Sequence, residues 1–200
     1  MLQGKDYYEK VWEREKNNTW RRYPGAFGRI RFFVGANKKV LDVGCGAGIL
    51  LKQLKDNGNT CMGVEISEVA VGIVKEKGMD CVLAQVPPLP FEDEEFDVVI
   101  ATEMFEHVEK ERMLLRECVR VCKKGGWVIV GVPNDCLGPD VEPEHVRKYN
   151  KGSLKTLLEK VGGSVFVDVF RDEFSCPDWI QGDGSVMNIG LPTLLGRCKK

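Results

Sequence analysis

Three glycines at alternate positions, Gly44, Gly46 and Gly48, follow the apolar run Val40–Val43, which contains one acid, Asp42. This spacing removes every side chain from one side of a turn, so that a ligand can approach the backbone closely. A phosphate cradle exposes N–H groups and carries a lysine, whereas an acid at this place repels phosphate. The turn therefore predicts a binding site for a ligand with a cationic end.

A second acid, Glu65, follows the next apolar run, Thr60–Val64. A carboxylate about 20 residues past a glycine turn can accept hydrogen bonds from both hydroxyls of a ribose. Ile49 and Leu50 stand where the last glycine of the dinucleotide fingerprint would be. Together these features favour a nucleoside without a phosphate bridge, such as S-adenosylmethionine, over a nicotinamide dinucleotide. An ordinary strand–helix turn with a salt-bridged Glu65 is the alternative.

Short apolar runs alternate with helical patterns along the chain. The strands are expected at 40–43, 60–64, 80–84, 97–101 and 127–132, with a final pair at 164–170 and 193–199. Helical stripes lie between them, one starting after Ser67 as N-cap and another closed by Lys123–Gly126. Fully apolar strands that alternate with helices indicate a doubly wound α/β fold. We expect one domain with a mostly parallel seven-stranded sheet, an antiparallel edge strand and a helical N-terminal cap.

The composition limits the partners and the compartment. The 200 residues carry a net charge of −1, which makes a nucleic-acid substrate unfavourable. Eight cysteines occur without a C-x-x-C pair, and the N-terminus lacks an apolar signal core, so we expect reduced thiols in a cytoplasmic protein. Cys118 and Cys122, one helical turn apart, are expected in the core. No apolar run reaches the length of a membrane span.

Four segments resemble the class I S-adenosylmethionine-dependent methyltransferases, in their small-molecule branch. The segments are Val40–Gly48, Gly63–Glu65, Leu89–Phe91 and Phe96–Val99. The resemblance extends over roughly residues 40–170. It implies S-adenosylmethionine as cofactor and methyl transfer to a small-molecule acceptor, by O-methylation. It also implies a division into a helical cap, 1–37, and the S-adenosylmethionine-binding domain, 38–200.

The resemblance also indicates which residues bind the cofactor. They are Asp42, Gly44, Cys45, Gly46, Gly48, Glu65, Ile66, Gln85, Val86 and Thr102. Gln85 departs from the family, which usually has an aspartate that accepts from the adenine amino group. A glutamine carbonyl can accept the same hydrogen bond without its charge assistance.

The stretch from Glu103 to His107 follows the fourth strand. If it is helical, Glu103, Glu106 and His107 share one face. With His145, the other histidine of the chain, this pattern resembles ubiquinone-biosynthesis O-methyltransferases and small-RNA terminal ribose methyltransferases. In those groups the matching residues hold a divalent cation, so the resemblance implies a Mg²⁺ or Zn²⁺ site formed by these four residues. His107 or His145 could instead be a general base, or neither role could apply.

Two other functions are compatible with the sequence. The chain could methylate a terminal ribose of RNA, or bind S-adenosylmethionine as a non-catalytic subunit. Loops 133–152 and 171–192, rich in Pro, Gly and Asp, are the candidate substrate walls. The acceptor and the oligomeric state do not follow from the sequence.

Overall fold

The computed structural model describes residues 5–15, 24–134, 145–161, 163–170, 179–180, 186–187 and 193–200. Its helices are α1 (Lys5–Glu15), α2 (Pro24–Val34), α3 (Ile49–Asp56), α4 (Glu68–Glu76), α5 (Glu111–Val121) and α6 (Lys151–Glu159). The first strands are β1 (Lys39–Val43), β2 (Thr60–Glu65), β3 (Asp80–Leu83), β4 (Phe96–Thr102) and β5 (Cys122–Pro133). They are followed by β6 (Val165–Phe170), β7 (Trp179–Ile180), β8 (Val186–Met187) and β9 (Thr193–Lys199). None of the described helices combines the length and apolar character that a bilayer crossing requires.

Seven strands form the main sheet in the order β3-β2-β1-β4-β5-β9-β6, and β7 pairs with β8 separately. The first five of them are parallel, whereas β9 runs antiparallel to both β5 and β6. The predicted doubly wound sheet is thus confirmed, and its antiparallel strand lies one place inside the edge. The chain order reverses between β1 and β4. Ligands of open α/β sheets bind at such a reversal, beside the carboxyl ends of the strands.

Helices cover both faces of the sheet, which explains why its central strands are apolar throughout. On one face, α2, α3 and α4 bury side chains such as Ile30, Leu51 and Val74. On the other face, α5 and α6 bury Leu114 and Leu158, among others. The core thus fixes the strand ends that support the site.

Two cysteines expected in the core, Cys118 and Cys122, are fully buried, so that prediction is confirmed. Burial raises the pKa of the Cys122 thiol to about 12, which keeps it protonated at neutral pH. The cysteines of the described residues are free thiols.

The prediction that Lys123–Gly126 closes the helix before β5 was wrong. The helix ends at Val121, and Cys122–Gly126 already belong to the strand. The end of the chain provides the reason. Gly125 N donates to Lys200 O at 2.9 Å, and Lys200 N donates to Gly126 O at 3.0 Å. These two hydrogen bonds, together with the pairing of Cys122 with Phe96 of β4, hold an irregular start of the strand in which Gly125 has a φ of 75°.

Candidate cofactor and acceptor site

The glycine turn joins β1 to α3 at the sheet reversal. Gly44, Gly46 and Gly48 have φ angles of 72°, 51° and 74°, in the left-handed region that favours glycine. The amide of Gly44 donates to Val64 O at 2.8 Å, which holds the turn against the end of β2. Half-buried Cys45 projects from this turn, with its Sγ 3.6 Å from Cys81 Sγ. Neighbouring side chains fill the space beside all three glycines: Met104 at Gly44, Trp12 at Gly46, and Met79 and Val74 at Gly48.

Glu65 lies at the carboxyl end of β2 and is 7% exposed. Its Oε2 accepts from Gly46 N at 3.0 Å, and its Oε1 accepts from Ile66 N at 2.8 Å and Ser67 N at 3.1 Å. Burial raises the pKa of this carboxyl, although these three hydrogen bonds oppose the shift. The carboxylate is thereby held beside the glycine turn.

Asp42 is 2% exposed within β1, and its Oδ1 has no hydrogen-bond partner among the described residues. Burial raises its pKa to about 7, and the nearby Glu65 carboxylate adds to the rise. A buried carboxyl without a full set of donors favours a cationic neighbour.

The arrangement of these groups fits S-adenosylmethionine. The glycine turn carries no side chains of its own at Gly44, Gly46 and Gly48, although neighbouring side chains pack against it. The Oδ1 of Asp42 has no partner among the described residues and can face a cationic group, and Glu65 can accept from a ribose. The two carboxyl groups and the glycine turn therefore match the chemistry of S-adenosylmethionine, the cofactor predicted from the sequence.

The residues predicted to contact adenine lie beyond β2 and β3. Gln85 is exposed after the end of β3, and Val86 is half-buried against the core. Half-buried Ile66 lies beside Glu65. At the other side of the site, half-buried Thr102 ends β4, where its side chain faces Gly131. The structure thus places all four at the carboxyl edge of the sheet.

Helix α1 crosses this same edge and contributes residues that the sequence analysis did not assign to the site. The carboxylate of Glu9 accepts from Ser67 Oγ at 2.7 Å and from the amides of Glu68 and Val69 at 2.7 and 3.1 Å. The indole ring of Trp12 packs against Gly46. The many aromatic residues of the N-terminal segment indicated that it packs on the domain. No local sequence pattern, however, connects one of them to the glycine turn.

The predicted helix after β4 does not form, so Glu103 does not share a face with the other residues of the cluster. Glu103 has a φ of 51°, and Phe105–His107 make only a single 3₁₀ turn. The amide of Glu103 still donates to Gly131 O at 2.9 Å, which extends the pairing with β5 by one residue. The positive φ of Glu103 then turns the backbone away from the strand direction. The condition for a shared face, a helix over Glu103–His107, is therefore not met.

Glu106, His107 and His145 do come together. Their ligand atoms lie within 4.8 Å of one another, and Glu103 is not part of this group. Glu106 is fully buried, with Oε1 3.9 Å from His107 Nε2. The two imidazole rings lie 4.9 Å apart between centroids. One carboxylate and two imidazoles can hold a divalent cation, so these three residues fit a metal ion.

A short segment around His145 is docked onto the turn after β4. Val146 N donates to Glu106 O at 2.9 Å, and Arg147 donates to the carbonyl oxygens of Phe105, Val108 and Glu109. Tyr149 donates to Glu111 Oε2 at 2.5 Å. These contacts explain how residues 38 positions apart meet, and sequence reasoning missed them because they are not periodic. The candidate substrate walls lie largely outside the described residues.

A family model described as a methyltransferase domain matches residues 41–130. A ubiquinone biosynthesis O-methyltransferase of Pseudomonas fluorescens is 37% identical over 106 residues, which are 50% of this chain and 46% of that protein. A protein of Mycolicibacterium smegmatis, described as a probable S-adenosylmethionine-dependent methyltransferase, is 30% identical over 158 residues, 76% of this chain and 61% of that one. The chain thus spans about half to three fifths of the length of these relatives.

The fold is also found in solved structures. The crystal structure of a SAM-dependent methyltransferase from Archaeoglobus fulgidus superposes with a TM-score of 0.72 and 21% identity, covering 98% of this chain and 100% of that one. At this identity the likeness concerns the fold.

Proposed function

The chain belongs to the S-adenosylmethionine-dependent methyltransferases through residues 41–130, and from that premise we propose that the protein methylates a hydroxyl group of a small molecule. The observation that carries the proposal is the pair of buried acids, Asp42 and Glu65, around the glycine turn. The O-methyltransferase name of the relative from Pseudomonas fluorescens supports a hydroxyl acceptor. We further propose that residues 1–37 form the cap of the domain 38–200.

In this proposal the cofactor-binding residues surround the turn. Asp42 balances the cationic end of the ligand, and Glu65 accepts from the ribose hydroxyls. The glycines Gly44, Gly46 and Gly48 let the backbone approach. Cys45, Ile66, Gln85, Val86 and Thr102 complete the walls. Bound S-adenosylmethionine supplies a methyl group that its sulfonium already activates, so the protein has mainly to align the acceptor and exclude water.

The acceptor hydroxyl must lose its proton as its oxygen bonds to the methyl carbon. We assign this proton to an imidazole of the pair His107 and His145. The buried Glu106 carboxylate, 3.9 Å from His107 Nε2, stabilises the imidazolium that forms. An acceptor oxygen beside the cluster could reach a nitrogen of either ring, because the ligand atoms of the two histidines lie within 4.8 Å of each other.

A divalent cation is a second role for the same cluster, favoured by the ligand atoms of Glu106, His107 and His145 within 4.8 Å of one another. A cation there would bind the acceptor oxygen and promote loss of its proton. Unlike the four-residue site expected from the sequence, this site has three ligands and leaves room for an acceptor.

The experiment begins with calorimetric titration of EDTA-treated protein with S-adenosylhomocysteine. It continues with release of S-adenosylhomocysteine from S-adenosylmethionine, using catechols and primary amines as acceptor probes. We expect binding, and turnover with the hydroxyl probes. Binding without turnover on any probe would favour a non-catalytic subunit, and turnover on amines alone would overturn O-methylation. Absence of binding would overturn the cofactor assignment.

A further inference from the structure

The indole ring of Trp12 lies directly against Gly46, on the face of the glycine turn that carries no side chain of its own. A Cβ built on Gly46 would be 2.5 Å from Trp12 Cζ2 and 2.7 Å from Cη2. Not even a methyl group fits between the ring and the backbone at that distance. Any ligand that presses on this face of Gly46 must therefore displace the ring.

Glu9 holds the helix that carries this ring. Its carboxylate accepts from Ser67 Oγ and from the amides of Glu68 and Val69, at distances of 2.7, 2.7 and 3.1 Å. These donors form the N-terminus of α4, where an acid is favourable because amides and the helix dipole converge. Burial acts to raise the pKa of Glu9, but these hydrogen bonds outweigh it and hold the pKa below its usual range. Glu9 therefore stays ionised and bonded at neutral pH.

Ser67 connects this contact to the cofactor site. Its hydroxyl donates to Glu9, while its backbone amide donates to Glu65 Oε1 at 3.1 Å. Glu65 in turn accepts from Gly46, the glycine that Trp12 covers. One chain of hydrogen bonds thus runs from Glu9 through Ser67 and Glu65 to the glycine turn.

We propose that α1 is a latched lid that excludes the cofactor: Trp12 occupies the open face of the glycine turn, and Glu9 is the latch that keeps the helix there. The inference rests on the proposed cofactor site. Cofactor entry then competes with lid closure, so loosening the latch makes the site easier to fill. A helix that only covered a bound cofactor would act in the opposite direction, since loosening it would let the cofactor escape faster.

The test compares Glu9→Gln with the wild type by stopped-flow and calorimetric binding of S-adenosylhomocysteine. We expect association about tenfold faster and binding tighter by a similar factor, the change that about 1.4 kcal/mol produces. Trp12→Ala, which leaves the latch in place, should also speed association. Weaker binding with faster dissociation in both variants would overturn the proposal and make α1 a cover.

Glu13→Gln is the matched control, because Glu13 is exposed on the same helix. It should leave both rate constants unchanged. A thermal melt of each variant separates a loosened lid from a loosened fold, since a lid effect leaves the melting temperature within a few degrees of the wild type.

Hydrogen exchange distinguishes failure of the lid from failure of the proposed function. Amides of residues 6–13 should exchange faster in Glu9→Gln than in the wild type, without any ligand present, while those of α5 stay unchanged. If the wild type binds no S-adenosylhomocysteine, the proposed function fails. Unchanged exchange in α1 overturns the latch, whatever the binding result.

Discussion

The amide of Gly46 donates a 3.0 Å hydrogen bond to Glu65 Oε2 and so ties the glycine turn after β1 to the acid that ends β2. Two neighbouring strands of the sheet thereby present one surface, with the backbone of the glycine turn on one side and a charged acceptor on the other. A ribose that bonds to Glu65 must share its oxygens with this amide, because a carboxylate has about four acceptor positions and three are already used.

Replacement of Glu65 tests this shared acceptor. Glu65→Gln keeps the size and removes the charge, so we expect S-adenosylhomocysteine to bind about tenfold to a hundredfold more weakly, since hydrogen bonds to charged groups contribute about 1.5–3 kcal/mol. Isothermal titration calorimetry measures the change. Glu76→Gln, exposed at the end of α4, should have no effect. An unchanged Kd in Glu65→Gln would show that the ribose lies elsewhere.

The raised pKa of Asp42 predicts that the free energy of unfolding depends on pH. Its pKa is raised from 3.8 to about 7 by burial and by Glu65, so between these values the folded protein holds a proton that the unfolded chain has lost. The contribution of Asp42 to the free energy of unfolding therefore falls as the pH rises from about 4 to about 7, by about 4 kcal/mol at most. Urea unfolding between pH 5 and 8 should show the decline in the wild type and a flatter profile in Asp42→Asn. Equal slopes in the two proteins would contradict the assignment.

Gly46 is expected to tolerate no side chain. Gly46→Ala places a Cβ at a φ of 51° and 2.5 Å from Trp12, so the free energy of unfolding should fall by about 2 kcal/mol or more. Adding Trp12→Ala relieves the clash but not the backbone strain, leaving a deficit of about 1–2 kcal/mol. Gly72→Ala in α4, where nothing lies within 4 Å, should instead stabilise by about 0.5–1 kcal/mol. Denaturant unfolding of the wild type, Gly46→Ala, Trp12→Ala and the double variant completes the cycle, and additive losses would disprove the Trp12 contact.

The carboxylate that binds a cation together with His107 and His145 is expected to be that of Glu106, not that of Glu103. Calorimetric titration with Zn²⁺ or Mg²⁺ should give binding that Glu106→Gln weakens at least about tenfold, in the range for loss of groups that support a metal. Glu103→Gln should bind like the wild type, because Glu103 is not in the group of three. If no cation binds to the wild type, the cluster acts without metal and His107→Asn should then remove turnover.

Arg147 is expected to position His145. Its guanidinium donates to Phe105 O at 3.3 Å and to Glu109 O at 3.0 Å, which holds the segment against the turn after β4. Arg147→Met should lower methyl transfer at least about tenfold, as misplacement of reacting groups does, with KM less affected than kcat. Arg112→Met, exposed on α5, is the control. Equal rates in both variants would mean that the contacts of Arg147 matter only for packing.

Much of the fold follows from local patterns. The apolar runs predicted the strands, and Ser67 is the N-cap of α4, with its side chain accepting from Ala70 N. Periodicity and capping depend on near neighbours along the chain, so the sequence exposes them. The extension of β5 to Cys122 could not be predicted, because its partners are distant in the sequence. Cys122 pairs with Phe96 of β4, and Gly125 and Gly126 share hydrogen bonds with Lys200.

The sequence by itself determined the doubly wound fold, the glycine turn and the two acids beside it. In each case a strand delivers its own last residues to a known edge of the sheet. Only the tertiary structure decided that Trp12 covers Gly46, that Glu9 caps α4, and that Glu103 lies outside the cluster of Glu106, His107 and His145. These contacts join segments distant in sequence through packing and single hydrogen bonds, and such contacts have no period or spacing by which a sequence can reveal them.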